Sequence, residues 1–166
     1  GNKAYSVYYG NTVTYKVRIV STDTKNPIAG KAVTFKIKDK TKTVNTDSNG
    51  YASYSVKLPA GSYTITATCE NKQVSNKITF KPTVIAKNLS KKKAKTIKYT
   101  VKVVDKKGKV VKNKKVTFKV KNKKYTAKTN KKGIATLTLK NLKVGKYAVS
   151  SSYGGCTVKT TLTIKK

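Results

Sequence analysis

The lysines at Lys91-Lys92-Lys93 and at Lys119, Lys121, Lys123 and Lys124 are the side chains of this sequence best suited to chemistry, and that chemistry is electrostatic. A lysine ammonium is a compact, strongly hydrated point charge toward phosphate, sulfate or carboxylate. The sequence carries 39 Lys+Arg against 5 Asp+Glu, a net charge of +34, yet Arg18 is its sole arginine. Readers of base sequence use bidentate arginine, whereas a lysine surface supplies salt-sensitive attraction that ignores sequence. The seven lysines named are therefore candidate polyanion contacts. Their partners would be anionic polymers of a cell wall, a cell surface or a partner cell's surface, or nucleic acid held without specificity; no specific nucleic acid is expected. A solvated lysine surface without a ligand is the competing reading.

Aromatic side chains could add stacking. Tyr125 and Tyr153 are the candidates in the second half, where Tyr99 and Tyr147 follow the core pattern. Tyr5, Tyr8 and Tyr9 could form a carbohydrate platform near the N-terminus, with a role in an edge-strand core as their other reading. Catalysis has little to work with. Histidine is absent, which removes the usual general base and the commonest metal ligand. Five carboxylates, Asp105 alone in the second half, cannot furnish paired acid–base groups or a cation cage there. No catalytic residue, metal site or cofactor is expected. An internal Lys–Asn cross-link would need an inward acid, and only Glu70 directly follows a core strand. Cys69 keeps the parity of a buried strand residue. Cys156, in Gly154-Gly155-Cys156, reads as part of a hairpin turn and as a free thiol, with pairing between molecules as its other reading.

The elements that would position these groups occur twice. Val33-Thr34-Phe35-Lys36-Ile37 returns as Val116-Thr117-Phe118-Lys119-Val120, 83 residues on. Asn49-Gly50-Tyr51-Ala52 is echoed by Lys132-Gly133-Ile134-Ala135, and Gly61-Ser62-Tyr63 by Gly145-Lys146-Tyr147. Self-similarity at a fixed period signals one structural unit used in an array. The units are placed at residues 1–82 and 83–166, joined through Pro82-Thr83-Val84. Within each, apolar residues alternate with polar ones, as in Val13, Tyr15, Val17 and Ile19, which is the period of half-buried strands. Short strands separated by Gly, Asn and Asp turns predict an all-β chain: two tandem immunoglobulin-like antiparallel β-sandwiches, arranged end to end. Gly50 and Gly133 fit hairpins that need left-handed backbone. Tyr63 and Tyr147, each two residues after a glycine, fit either a tyrosine corner or a plain core position.

What is repeated is the core and not the surface. Through Thr83 there are 13 cationic side chains against four acids, and from Val84 onward 26 lysines against Asp105. Net charge is thus +9 in the first unit and +25 in the second. No apolar run is long enough to span a membrane and no signal peptide is visible, so the chain is read as a monomeric, excised piece of a longer array.

Tyr8-Tyr9-Gly10-Asn11, Tyr15-Lys16-Val17, the Val33-Thr34-Phe35 strand, Thr46-Asp47-Ser48-Asn49-Gly50 and Gly61-Ser62-Tyr63-Thr64-Ile65 resemble the Ig-like repeats of methanogen adhesin-like surface proteins. The second unit departs from the pattern with Lys91-Lys92-Lys93 in place of the tyrosine run and Asn113 in place of Gly30. The resemblance implies an archaeal, extracellular, cell-wall-associated protein whose repeats serve as stalk or adhesive surface without catalysis. A primary role in non-specific polyanion or nucleic-acid binding is the alternative.

Overall fold

A computed structural model of the chain describes residues 4–166, which divide into two compact units between Lys81 and Pro82. The first contains β1 (Tyr5–Tyr8), β2 (Val13–Arg18), β3 (Ala32–Ile37), β4 (Lys40–Asn45), β5 (Tyr51–Val56), β6 (Gly61–Cys69) and β7 (Lys72–Lys81). The second contains β8 (Val84–Ile85), β9 (Leu89–Lys92), β10 (Thr96–Val103), β11 (Lys115–Val120), β12 (Lys123–Lys128), β13 (Ile134–Lys140), β14 (Gly145–Tyr153) and β15 (Cys156–Lys165).

Each unit sets a five-stranded sheet against a smaller one. The large sheets run β1-β7-β6-β3-β4 and β12-β11-β14-β15-β9, which is the same order read from opposite ends. The small sheets are β2-β5 and β13-β10-β8. The chain is all-β, with two Ig-like sandwiches. One pairing in each departs from the antiparallel expectation: β1 runs parallel to β7, and β9 parallel to β15. The first strand of each large sheet thus lies beside the last.

Alternation produces the core. Val33, Phe35 and Ile37 from β3 meet Ile65 and Ala67 from β6 and Ile78 and Phe80 from β7, all buried. Phe118, Val149, Leu162 and Ile164 occupy the matching places in the second unit. Burial of such side chains stabilises by roughly 1.5–3 kcal/mol each. The two central tyrosines keep their hydroxyls satisfied. Tyr15 Oη donates to Asn76 Oδ1 at 2.7 Å, and Tyr99 Oη lies 2.5 Å from Thr160 Oγ1.

The glycine turns differ from expectation in what they join. Gly50 and Gly133 are left-handed, with φ of 76° and 74°. Yet β4 and β5 belong to different sheets, as do β12 and β13, so these are inter-sheet turns and not hairpins. Each is built on a side-chain oxygen at its first residue. Asp47 Oδ1 accepts from Asn49 and Tyr51 N–H, and Asn130 Oδ1 from Lys132 and Ile134 N–H. A Cβ on Gly50 would collide with the Ile19 carbonyl, and one on Gly133 would lie 2.8 Å from the Val103 carbonyl.

Candidate functional site

Residues directly opposite one another on paired strands share a face, so the register of the second unit's large sheet determines which lysines stand together. Lys119 faces Lys124 on β12 and Ser150 on β14, and Ser150 faces Lys159 on β15. This gives an outward row across four strands: Lys124, Lys119, Ser150, Lys159. Beside it lies the row Thr126, Thr117, Ser152, Thr157, and beyond that Lys115 opposite Lys128. On the other flank Lys146 faces Thr163, and Lys165 faces Lys92 on β9. The outward positions of these five strands carry lysine, serine, threonine and Ala148. None is acidic or aromatic.

Three pairs on this face, Lys119–Lys124, Lys115–Lys128 and Lys92–Lys165, set like charges directly opposite. Such pairs destabilise a sheet. The second unit's sole carboxylate lies elsewhere. Asp105, after β10, accepts from the backbone N–H of Lys109 at 2.9 Å and of Lys107 at 2.8 Å. The Lys109 bond first, then the Lys107 bond and the charges of both lysines, hold its carboxyl below the usual range.

The same face of the first unit shows what changed. Its rows read Thr43, Thr34, Thr68, Gln73 and Thr41, Lys36, Thr66, Ser75. Hydroxyls meet across strands, with Thr34 and Thr43 oxygens 3.0 Å apart and those of Thr66 and Ser75 3.1 Å apart. Lysine replaces Thr41, Ser75, Asn45, Ala32 and Ser62 at the positions equivalent to Lys124, Lys159, Lys128, Lys115 and Lys146. The reverse exchange occurs once, Lys77 of the first unit standing where the second has Thr161, so this face carries part of the charge difference between the units and the rest lies elsewhere on the second unit.

The lysine candidates of the sequence divide among three places. Lys119, Lys124 and Lys92 stand on the outward face. Lys91 has the inward register of its partner Ile164 but is exposed at the sheet edge, with Lys93 just beyond the strand, its N–H donating to the Lys165 carbonyl at 2.9 Å. Lys121 lies in the β11–β12 turn and Lys123 directly follows it, and the Lys121 ammonium lies 4.7 Å from the Tyr147 ring centroid. Lys115, Lys128, Lys146, Lys159 and Lys165 were not singled out from the sequence. They could have been reached by counting outward from the two-residue turns at 121–122 and 154–155, which set the register of their hairpins.

Neither aromatic candidate joins the lysine face. Tyr125 is opposite Phe118, and Tyr153 shares the parity of buried Tyr147 and Val149; both are half-buried on the core side. In the first unit Tyr5 packs against the core with its ring edge-on to Tyr15, while Tyr8 lies 5.0 Å under the Lys81 ammonium and Tyr9 is half-buried. Tyr63 Oη donates to the Pro59 carbonyl at 3.1 Å, and Tyr147 Oη to the Lys143 carbonyl at 2.8 Å. Each hydroxyl thus ties its strand to the segment four residues before it.

The cysteines require a correction. Cys156 does not sit in the turn, which consists of Gly154 and Gly155; it opens β15 at an inward position and is only 2% exposed. Cys69, expected to be buried, is half-exposed. Both are free thiols. Glu70 is exposed and pairs with Lys31 at 2.6 Å, so it is not an inward acid. Among the described residues no group of His, Cys, Asp or Glu could hold a metal ion, and no helix is long and apolar enough to cross a membrane.

A family model described as "Bacterial Ig-like domain (group 1)" matches residues 82–165. No curated protein matches the chain. Among solved structures, the D0-D1 domain of intimin is 24% identical, with 99% of this chain and 95% of that chain covered and a TM-score of 0.43. The D00-D0 domain of intimin is 20% identical, with 98% and 96% covered and a TM-score of 0.43. Invasin, titled a bacterial integrin-binding protein, is 19% identical at a TM-score of 0.45; the match covers 99% of this chain and 38% of that one.

Proposed function

This chain belongs to the bacterial Ig-like domain (group 1) family, and on that premise we propose that it is a non-catalytic module of an extracellular adhesin-like protein. Its two sandwiches serve as stalk units. The outward face of the second unit's large sheet is its contact surface for acidic polymers of a cell wall or partner surface. The observation that carries this reading is the set of three directly opposed lysine pairs on a face without a carboxylate. A face that repels itself gains from a bound polyanion, which neutralises those charges and releases counterions. The placement at residues 1–82 and 83–166, the position outside the cell and the longer array are parts of the same proposal. A methanogen source rests on the resemblance of the quoted turn and core residues alone.

Serine and threonine rows between the lysines favour a hydroxylated acidic glycan, since hydroxyls both donate and accept hydrogen bonds. Nucleic acid, the competing partner, would lack stacking surfaces here, because Tyr125 and Tyr153 have the core-side register. The test is a salt titration of the native chain against polygalacturonate, a sulfated glycan and duplex DNA. Two variants accompany it: Lys119→Gln/Lys124→Gln/Lys159→Gln on the face, and Lys98→Gln/Lys131→Gln/Lys132→Gln away from it. The expected result is binding to the acidic glycans that the face variant weakens well beyond the control variant. Equal weakening would assign the attraction to net charge and overturn the site, and a salt-resistant preference for DNA would overturn the partner.

A further inference from the structure

Three strands of the second unit's large sheet, β14, β15 and β9, carry a row of outward side chains. Lys146 stands opposite Thr163, and Thr163 opposite Ser90. In the next row Thr161 lies opposite Ala148, the smallest outward side chain of β14, and its N–H donates to Asn88 Oδ1 at 2.9 Å. A shallow depression of about 390 Å³ opens here, lined by Asn88, Leu89, Ser90, Lys146, Thr161 and Thr163. Small-ligand sites span roughly 300–1,000 Å³.

The polar groups of this depression are unpaired. The hydroxyls of Thr161, Thr163 and Ser90 and the Lys146 ammonium have no hydrogen-bond partner among the described residues. In the first unit the equivalent hydroxyls satisfy each other, those of Ser62 and Thr79 lying 3.0 Å apart. Lys146 in place of Ser62 takes that partner away from Thr163, and Thr161 in place of Lys77 shortens the neighbouring side chain. The depression thus offers one cation, three open hydroxyls and an apolar contact at half-buried Leu89, with no carboxylate among its lining residues.

We propose that this depression is a subsite for one uronic acid residue of an acidic glycan, an assignment that rests on the reading of the lysine face given above. Lys146 takes the carboxylate as a point charge. The hydroxyls of Thr161, Thr163 and Ser90 both donate to and accept from the ring hydroxyls, and Leu89 meets the C–H side of the ring. One cation beside three uncharged hydroxyls matches a ring that carries one charge. A sulfated ring would set further anions against groups that cannot neutralise them. The surroundings carry the chain onward. At roughly 3.4 Å per residue, Lys92 and Lys165 lie about 7 Å along the strands on one side, and the row of Lys119, Lys124 and Lys159 about 14 Å on the other. A glycan lying along the strands meets lysines on both sides of the subsite, so that weak single contacts add up.

The test follows amide shifts of the full chain by NMR during titration with trigalacturonate at several salt concentrations. Saturable shifts are expected at Thr161 and Thr163. Thr163→Val, which keeps the charge and the shape, should weaken binding about threefold or more with the salt dependence unchanged. Lys146→Gln should weaken it and lower the slope against log salt by about one. Thr126→Val, outside the depression, should bind as the native chain does. Native binding by Thr163→Val, or no saturable shift at these amides, would overturn the subsite. Equal weakening of a sulfated trisaccharide by Thr163→Val would overturn the choice of uronic acid. Failure of the face itself looks different: Lys119→Gln/Lys124→Gln/Lys159→Gln would then leave polygalacturonate binding no weaker than its control variant does, and the subsite would fall with it.

Discussion

Asp105 is the second unit's only carboxylate, and its place in a turn gives that unit an acid-sensitive point. Two backbone N–H groups donate to it, the Lys109 bond having the larger effect, and its carboxyl is held below the usual range. A carboxyl with a depressed folded value contributes stability that is fully present above its unfolded value, about pH 3.9. That contribution is lost as pH falls through the lower folded value. The first prediction at this scale is that Asp105→Asn, which keeps an oxygen acceptor but not the charge, lowers the second unit's stability modestly at neutral pH and flattens its fall below about pH 4. Urea midpoints at pH 2.5, 4 and 7 measure it; an unchanged acid slope would mean that Asp105 is not its source. Asn130 already performs the same capping task at the neighbouring turn without a charge, so the fold itself tolerates the amide.

At the scale of the strand pair, the opposed lysines can be turned into an attraction. Lys119→Glu places a carboxylate directly opposite Lys124. The exchange should stabilise the second unit by about 0.5–1 kcal/mol at low salt while weakening acidic-glycan binding. Denaturation at low and high ionic strength checks it, and a loss of stability at low salt would show that the pair does not repel. Alternation made the strands themselves readable, because Val33-Thr34-Phe35 and Val116-Thr117-Phe118 can only bury one side. Which strand joins which sheet was less readable. A turn such as Asp47–Gly50 has the same residues whether it closes a hairpin or crosses between layers, and the difference lies in distant partners. Cys156 was misplaced for a related reason. Two glycines suffice for a reversal, so the third residue of the run already belongs to the strand. The lysine face was hidden because Lys115, Lys128 and Lys159 are far apart in sequence and are gathered only by register.

At the scale of the molecule, +9 and +25 are carried by the same architecture. Self-repulsion should therefore weigh on the second unit more than the first. Screening lengths shrink from about 30 Å at 0.01 M salt to about 10 Å at 0.1 M. Raising salt over that range should strengthen amide protection at Val149 while leaving Ile65, its counterpart in the first unit, nearly unchanged. Residue-resolved exchange measures both, and parallel changes would place the effect of salt outside the charge asymmetry. The parallel contacts of β1 with β7 and of β9 with β15 have a mechanical consequence. In the first unit the described chain enters along β1 and leaves along β7, and in the second β9, reached after the short β8, and β15 likewise run in the same direction. Tension between the two ends slides the pair lengthwise and loads their hydrogen bonds together, where an antiparallel hairpin would open one bond at a time. Each sandwich is thus clamped lengthwise, along the direction in which these two strands run.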